Sequence, residues 1–335
     1  MRIALALIAL AAPVALCVMS ARADEAPLAS PKGEPEYGHG LTADDAGAGW
    51  VSLFDGHTAF GWNDKAVVKD GNLSGGTTTT TRFGAYELRA DVVVGGSFTV
   101  GREGKERVID APPGRLEARV EGVLVGPIRL RRGVVVRSIV LRPLGMEDMF
   151  NGKDLDGWTV IRRAGDDRDR AAWTVENGAL RAVGGPGALE RRGRHGHFVL
   201  QAHVKTRSPM ANGGLFFRCI PGGFLNGYEV QIYNAGRGGD PSKPAEYSTG
   251  AIDDRQSARR VPSRDGEPFM MTVVAVGAHV ATWVNGYQLT DWTDTRPRHD
   301  NPRQGLRVEP GTIQFQAHDP DTDLEFRNIR AAALD

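Results

Sequence analysis

The chain has 335 residues, 41% hydrophobic and 24% charged, enough apolar side chains for the cores of about two domains. Its 41 Lys+Arg balance 41 Asp+Glu, so no net field favours nucleic acid or an anionic membrane as a partner. The 43 glycines and 19 prolines separate short Val/Ile/Phe-rich runs, a composition that favours an all-β chain with many turns over a helical one.

Met1-Arg2, the apolar run Ile3 to Met19 and then Ala21-Arg22-Ala23 have the layout of a secretory signal peptide over residues 1–23. The apolar run is shorter than the ~20 residues that a spanning helix wants. An exported protein, periplasmic or extracellular, is therefore expected, with no transmembrane segment after cleavage. Cys219 is then the sole cysteine, in an apolar run, and no internal disulfide can form. Residues 24–47 are rich in Ala, Pro and Gly and lack periodicity, so a flexible tether is expected there.

Beyond the tether, one phrase occurs twice. Leu53-Phe54-Asp55-Gly56 with Gly61-Trp62 is matched by Met149-Phe150-Asn151-Gly152 with Gly157-Trp158, at the same Phe-to-Trp spacing. The echo continues in order, Asp70-Gly71 with Asn177-Gly178, Tyr86 to Val92 with Phe198 to Val204, and Arg137-Ser138-Ile139 with Arg327-Asn328-Ile329. An ordered self-match of this length predicts two copies of one fold. Tyr86, Leu88, Ala90 and Val92 alternate with polar residues, the period-two pattern of a half-buried strand. Asn285-Gly286 between two such runs predicts a tight hairpin. The expectation is an all-β protein of two jelly-roll β-sandwiches, an abbreviated one over residues 48–145 and a complete one over 146–335.

Three strands of the second copy carry a polar alternate face. It comprises Phe216 and Arg218 in Leu215–Cys219, Glu229, Gln231 and Tyr233 in Tyr228–Tyr233, and Gln314, Gln316 and His318 in Ile313–His318. An arginine, a carboxylate, a histidine and several amides on one face suit a polyhydroxylated ligand and proton transfer on it. Polar residues also alternate outward on any half-exposed strand, so a non-catalytic carbohydrate-binding module and a purely structural envelope protein stay open. Against the bland reading, Val100 aligns with Arg218, and the first copy is expected to lack a counterpart of the Glu229/Gln231 strand.

Several of these residues also carry a resemblance. Phe150-Asn151-Gly152-Lys153-Asp154-Leu155-Asp156-Gly157-Trp158, Asn212-Gly213-Gly214-Leu215-Phe216-Phe217-Arg218, Tyr228-Glu229-Val230-Gln231-Ile232, Thr249-Gly250-Ala251-Ile252 and Phe326-Arg327-Asn328-Ile329 form an ordered set. The set resembles the 3-keto-glycoside lyase/hydratase domain, also called the 3-keto-disaccharide hydrolase domain, of the concanavalin A-like lectin/glucanase superfamily. The resemblance implies a jelly roll whose concave face handles glycosides oxidised at C3, by elimination across C1–C2 or hydration of the resulting glycal. Asn234 stands where that family often has Asp, and Gly213 where Ser is commoner.

A C3 ketone acidifies the hydrogen on C2, so elimination needs a base, a donor or cation for the enolate and an acid for the leaving oxygen. On this chemistry Glu229 is the expected base, Arg218 the enolate stabiliser and His318 the acid or a second base. Gln231, Gln316, Asn234, Phe216 and Tyr233 are expected to contact the sugar. Retaining glucanases need two carboxylates, whereas Glu229-Val230-Gln231-Ile232-Tyr233-Asn234 offers one. Asp253-Asp254 forms a loop that could supply a ligand, with a solvated loop as the default expectation, and Asp319 to Asp323, which lacks the glycine and glutamate of a calcium loop, is expected to be a hairpin turn. No nucleotide fingerprint is present, so no nucleotide cofactor is expected, and a divalent metal ion is left open.

Overall fold

A computed structural model describes residues 26–163 and 171–334, and the expected signal peptide lies outside the described residues. The chain enters through β1 (Leu28–Ala29) and a single turn of helix, α1 (Ala43–Gly47). The first sandwich follows with β2 (Val51–Ser52), β3 (Val67–Lys69), β4 (Asn72–Ser74), β5 (Tyr86–Val94), β6 (Gly96–Val100), β7 (Arg107–Ala111), β8 (Gly114–Val120), β9 (Ile128–Leu130) and β10 (Val135–Pro143). The second holds β11 (Glu147–Asp148), β12 (Trp158–Ile161), β13 (Ala172–Glu176), β14 (Ala179–Val183), β15 (Gly187–His195), β16 (Phe198–Thr206), β17 (Gly213–Cys219) and β18 (Tyr228–Ile232). It is completed by β19 (Gly236–Arg237), β20 (Phe269–Val276), β21 (His279–Val284), β22 (Tyr287–Thr293), β23 (Gly311–Ala317) and β24 (Asp323–Ala333).

The second unit is a jelly roll. One sheet runs β13-β14-β24-β16-β20-β21-β22 and the other β12-β15-β23-β17-β18. Period-two alternation turns Phe198, Leu200 and Ala202 of the first sheet toward Leu215, Phe217, Val230, Ile313 and Phe315 of the second, forming one core. Asn285 and Gly286 take positive φ of 49° and 72°, the backbone that the two-residue β21–β22 hairpin requires.

The first unit carries the same strand orders in shorter form, β3-β4-β10-β5-β8 and β7-β6-β9. It has no equivalents of β12, β15, β21 and β22. It does have a strand where β18 lies in the second unit, since β7 flanks β6 as β18 flanks β17. The expected absence of that strand is therefore corrected. β7 buries Ile109 and Ala111 and turns Val108 and Asp110 outward, where β18 presents Glu229 and Gln231. What differs is the side chains, which strand patterning alone does not reveal.

The two units share a core. Val199 of β16, Val274 of β20 and Ala281 and Trp283 of β21 pack with Phe83, Leu88, Ile128 and Ile139 of the first unit. Trp283 is fully buried and its Nε1 donates to Ser52 O at 2.9 Å. The first unit thus covers the back of the eight-stranded sheet, and the outer face of the five-stranded sheet is turned the other way.

Residues 26–47 are not a tether. β1 pairs with β19, Glu36 forms an ion pair with Arg260, and Gly38 N donates to Asn285 O at 3.0 Å. Thr42 caps α1 with a full capping box through Asp45. These residues bury few side chains. Their order comes from backbone bonds to the second unit, which composition does not disclose.

Candidate functional site

On the five-stranded sheet, β18, β17 and β23 lie side by side, and their register builds the outer face row by row. Gln231, Gly214 and Gln316 are aligned across the three strands, and Glu229, Phe216 and Gln314 form the next row. Beyond the other end, His318 N donates to Asn212 O at 3.1 Å, so Tyr233, Asn212 and His318 form the third row. This face is the floor of a cavity of about 570 Å³. Loops wall it with Phe224, Leu225, Tyr247, Asp253, Arg303 and Arg163.

Glu229 is 6% exposed and lies at one end of the floor. A loop pairs along the outer edge of β18, with Gln231 N donating to Ala251 O at 3.0 Å and Asp253 N to Glu229 O at 3.0 Å, which sets Asp253 beside Glu229. Arg303 bridges the two carboxylates, Nη1 at 3.3 Å from Glu229 Oε2 and Nη2 at 2.9 Å from Asp253 Oδ2. Arg303 is itself held, because its carbonyl accepts from Arg255 Nη2 at 2.9 Å and from Arg296 Nη1 at 3.3 Å. Burial first, then the neighbouring Asp253 charge, pushes the Glu229 carboxyl up to about 8, against the pull of Arg303. The raised value favours the protonated carboxyl at neutral pH, which equips Glu229 to give a proton.

At the other end, His318 Nδ1 lies 2.6 Å from Asp319 Oδ1. Donation of Nδ1–H to that carboxylate leaves Nε2 as the ring's proton acceptor. Asn212 links this end to the middle row, accepting from Gln231 Nε2 at 2.7 Å and standing 3.3 Å from His318 Nδ1. Gln316 is 7% exposed and lines the cavity, while its Oε1 is buried without a hydrogen-bond partner. Tyr233 has its hydroxyl pKa raised by burial and by the Asp319 and Asp265 charges, so it stays a donor.

The structure brings Glu229, His318, Gln231, Gln316, Phe216 and Tyr233 to one cavity, and it removes two expected residues. Arg218 is fully buried, away from the cavity, with a φ of 52°. Between Phe216 and Cys219, β17 uses three steps against the two from Gln314 to Thr312 on β23, a β-bulge that turns Arg218 off the polar face. Its guanidinium donates to Gly196 O at 2.9 Å, Gly277 O at 2.7 Å and Arg307 O at 3.0 Å, and burial lowers its pKa to about 10. It is a staple between strands and loops.

Asn234 is also fully buried. Past the end of β18 it turns into a polar knot, accepting from Thr249 Oγ1 and Ser263 Oγ at 2.6 Å each and donating to Asp265 Oδ1 at 3.0 Å. An Asp at position 234, as the resemblance implied, would lie in this knot and not add a carboxylate to the cavity. Arg303 is the residue that sequence reasoning missed, on a loop with no periodicity to flag it, and Asp253 takes the lesser of the two readings open to its loop, lining the cavity where solvation was the default.

Among the described residues no group of three or more His, Cys, Asp or Glu side chains is arranged to hold a metal ion. The cavity's two carboxylates both face Arg303, which takes the position a cation would need, so the donor set does not fit a divalent ion.

A family model described as a 3-keto-alpha-glucoside-1,2-lyase-like domain matches residues 145–332. No curated protein matches the chain. Among solved structures, the chain is similar to a protein from Parabacteroides distasonis ATCC 8503 provisionally described as a glycosyl hydrolase, at 20% identity and a TM-score of 0.45, over 57% of this chain and 94% of that one. It is also similar to carbohydrate binding module CBM66 from Bacillus subtilis, at 13% identity and a TM-score of 0.38, over 55% of this chain and 99% of that one. A third is a lichenase derived from a mouse hindgut metagenome, at 15% identity and a TM-score of 0.36, over 57% of this chain and 98% of that one.

Proposed function

We propose, for a chain that belongs to the 3-keto-alpha-glucoside-1,2-lyase-like domain family, that it cleaves 3-keto-glycosides by β-elimination across C1–C2. Hydration of the resulting glycal would then complete a net hydrolysis. The observation that carries this reading is the placement of two proton-transfer groups on one face. A buried carboxyl, Glu229, and an imidazole backed by a carboxylate, His318, share one glycine-centred floor.

In this mechanism His318 Nε2 removes the proton from C2, made acidic by the C3 ketone. Electrons move from the C2–H bond into the C2–C3 enolate, whose oxygen accepts from the Tyr233 hydroxyl and the Gln316 amide. The C1–O bond then breaks as the C1=C2 bond forms, and Glu229 gives its proton to the departing oxygen. Glu229 is thus the acid, where the sequence pointed to a base, and His318 the base, one of the two roles expected of it. Hydration runs the protons back: ionised Glu229 takes one from the attacking water and protonated His318 returns one to C2, so both groups are reset.

We further take the protein to be exported, on the leader-like sequence of residues 1–23. Incubation of the purified chain with a 3-keto-glycoside, followed by detection of the glycal and the released alcohol, tests the reaction. Loss of turnover in Glu229→Gln by a factor of about 10² to 10⁴ is expected. Binding of the substrate without turnover in the wild type would instead favour a carbohydrate-binding module.

A further inference from the structure

The acid side of the cavity differs in kind from the rest of its floor. The middle and far rows present Gln231, Gln316, Asn212 and His318, all able to pair with sugar hydroxyls. Beside Glu229 and its Asp253–Arg303 pair, one wall is apolar, built from Phe216, Phe224 and Leu225. Because the leaving oxygen must face the acid, the group attached to that oxygen lies against these apolar side chains.

The loop that presents two of them is fixed from below. Gly222 N donates to the Glu190 carboxylate at 3.2 Å, Gln314 Nε2 donates to Gly223 O at 2.8 Å, and Leu225 N donates to Gln314 Oε1 at 3.0 Å. Glu190 Oε2 in turn accepts from Thr312 Oγ1 at 2.6 Å and from Gln314 Nε2 at 2.9 Å. Leu225 has a φ of 47°, the left-handed region, which a branched side chain disfavours and which glycine or asparagine would occupy with less strain. A leucine held there by surrounding bonds places its side chain in the cavity at a conformational cost, the pattern of a residue retained for what it touches. Phe224 is restrained as well, with the Arg163 guanidinium 4.9 Å from its ring centroid.

We propose that this side of the site is built for an aromatic or similarly apolar aglycone rather than a second sugar, with Phe224 and Leu225 as its specificity-determining residues. The inference rests on the elimination reading above, which fixes where the leaving group lies. Asp253 and Arg303 are engaged with each other and with Glu229, so a sugar against the Phe224–Leu225 wall would give up water at several hydroxyls for few partners, whereas a flat apolar ring loses nothing by the exchange.

The test compares benzyl 3-keto-glucoside with a 3-keto-disaccharide of the same anomeric configuration, using the full chain. Benzyl alkoxide is no better a leaving group than a sugar alkoxide, so a preference reports binding and not intrinsic reactivity. The expected result is a kcat/KM at least tenfold higher for the benzyl substrate, carried mainly by KM. Phe224→Ser and Leu225→Asn, both in a surface loop, are expected to bring the two values together. Preference for the disaccharide, or equal losses on both substrates in the variants, would overturn the proposal. If neither substrate turns over, the elimination reading fails, and calorimetry with unoxidised benzyl glucoside and disaccharide still decides. Tighter benzyl glucoside binding that Phe224→Ser abolishes upholds the apolar subsite, and equal or no binding of the two overturns it.

Discussion

A Cβ placed on Gly214 would fall 2.6 Å from Glu229 Oε1 and 3.0 Å from Cε2 of Phe216, so the carboxyl and the ring can lie over the floor at this point only because residue 214 has no side chain. Gly214 does not have a positive φ, so the requirement is space and not backbone conformation. Gly214→Ala should fold with nearly unchanged thermal stability while pushing the Glu229 carboxyl aside. At least a tenfold fall in turnover is expected, read by initial rates beside a melting curve. An unaltered rate would mean that Glu229 tolerates displacement and is not the acid.

Glu229 ties activity and stability to pH in one direction. Its carboxyl is raised from the ordinary 4.5 to about 8, so the acid is lost, and turnover should fall, as pH rises through about 8. A folded-state value above the unfolded one favours the fold fully below about pH 4.5, and that contribution drains away as pH rises toward 8. Glu229→Gln removes the titration. Relative to wild type it should gain stability between pH 5 and pH 9, measured by denaturant unfolding at each pH. A constant difference across that range would show that the carboxyl is not raised.

Arg218 should behave as a structural residue. Arg218→Met leaves the carbonyls of Gly196, Gly277 and Arg307 without their donor in a buried setting. A loss of about 3 kcal/mol or more in unfolding free energy is expected, with Arg218→Lys intermediate. Rates per folded molecule should stay close to wild type. A stable variant with lost turnover would return Arg218 to the chemistry.

Asn234→Asp separates the buried knot from the cavity. The change removes the Nδ2 donor 3.0 Å from Asp265 Oδ1 and sets two carboxyl groups against each other out of water. Destabilisation of about 2 kcal/mol or more is expected, read by chemical unfolding, with no gain in turnover. An increase in turnover would show that residue 234 bears on the site.

Strand parity read the face well wherever the ladder is regular. Val230 and Ile232 go inward and Glu229 and Gln231 outward, as do Phe315 and Gln316 in turn. It failed at Arg218 because a single inserted residue inverts the alternation, and neither glycine nor asparagine marks the turn within β17. A clue lay on the partner strand. A Cβ at Gly311 would come within 2.4 Å of the backbone of Arg218 and Cys219, a close approach that a glycine at a strand end can signal. Asp253 and Arg303 reach the cavity from loops far apart in the chain, and nothing periodic joins them. The role proposed here for Glu229 was not legible for a further reason. The proton state of a carboxyl depends on its burial and on charges that only the folded chain assembles.

The core shared through Trp283 has a consequence for the order in which the chain can be assembled. The apolar face of the first sandwich, with Phe83, Leu88 and Ile139, finds part of its cover on Val274, Ala281 and Trp283, more than a hundred residues further along. During synthesis from the N-terminus, residues 50–143 stay incompletely covered until β20 and β21 have been made and paired. Their contacts span long stretches of sequence, which slows folding and prolongs the exposure of that apolar face. The first sandwich therefore ripens with the second, and a chain halted before residue 284 would present an adhesive surface.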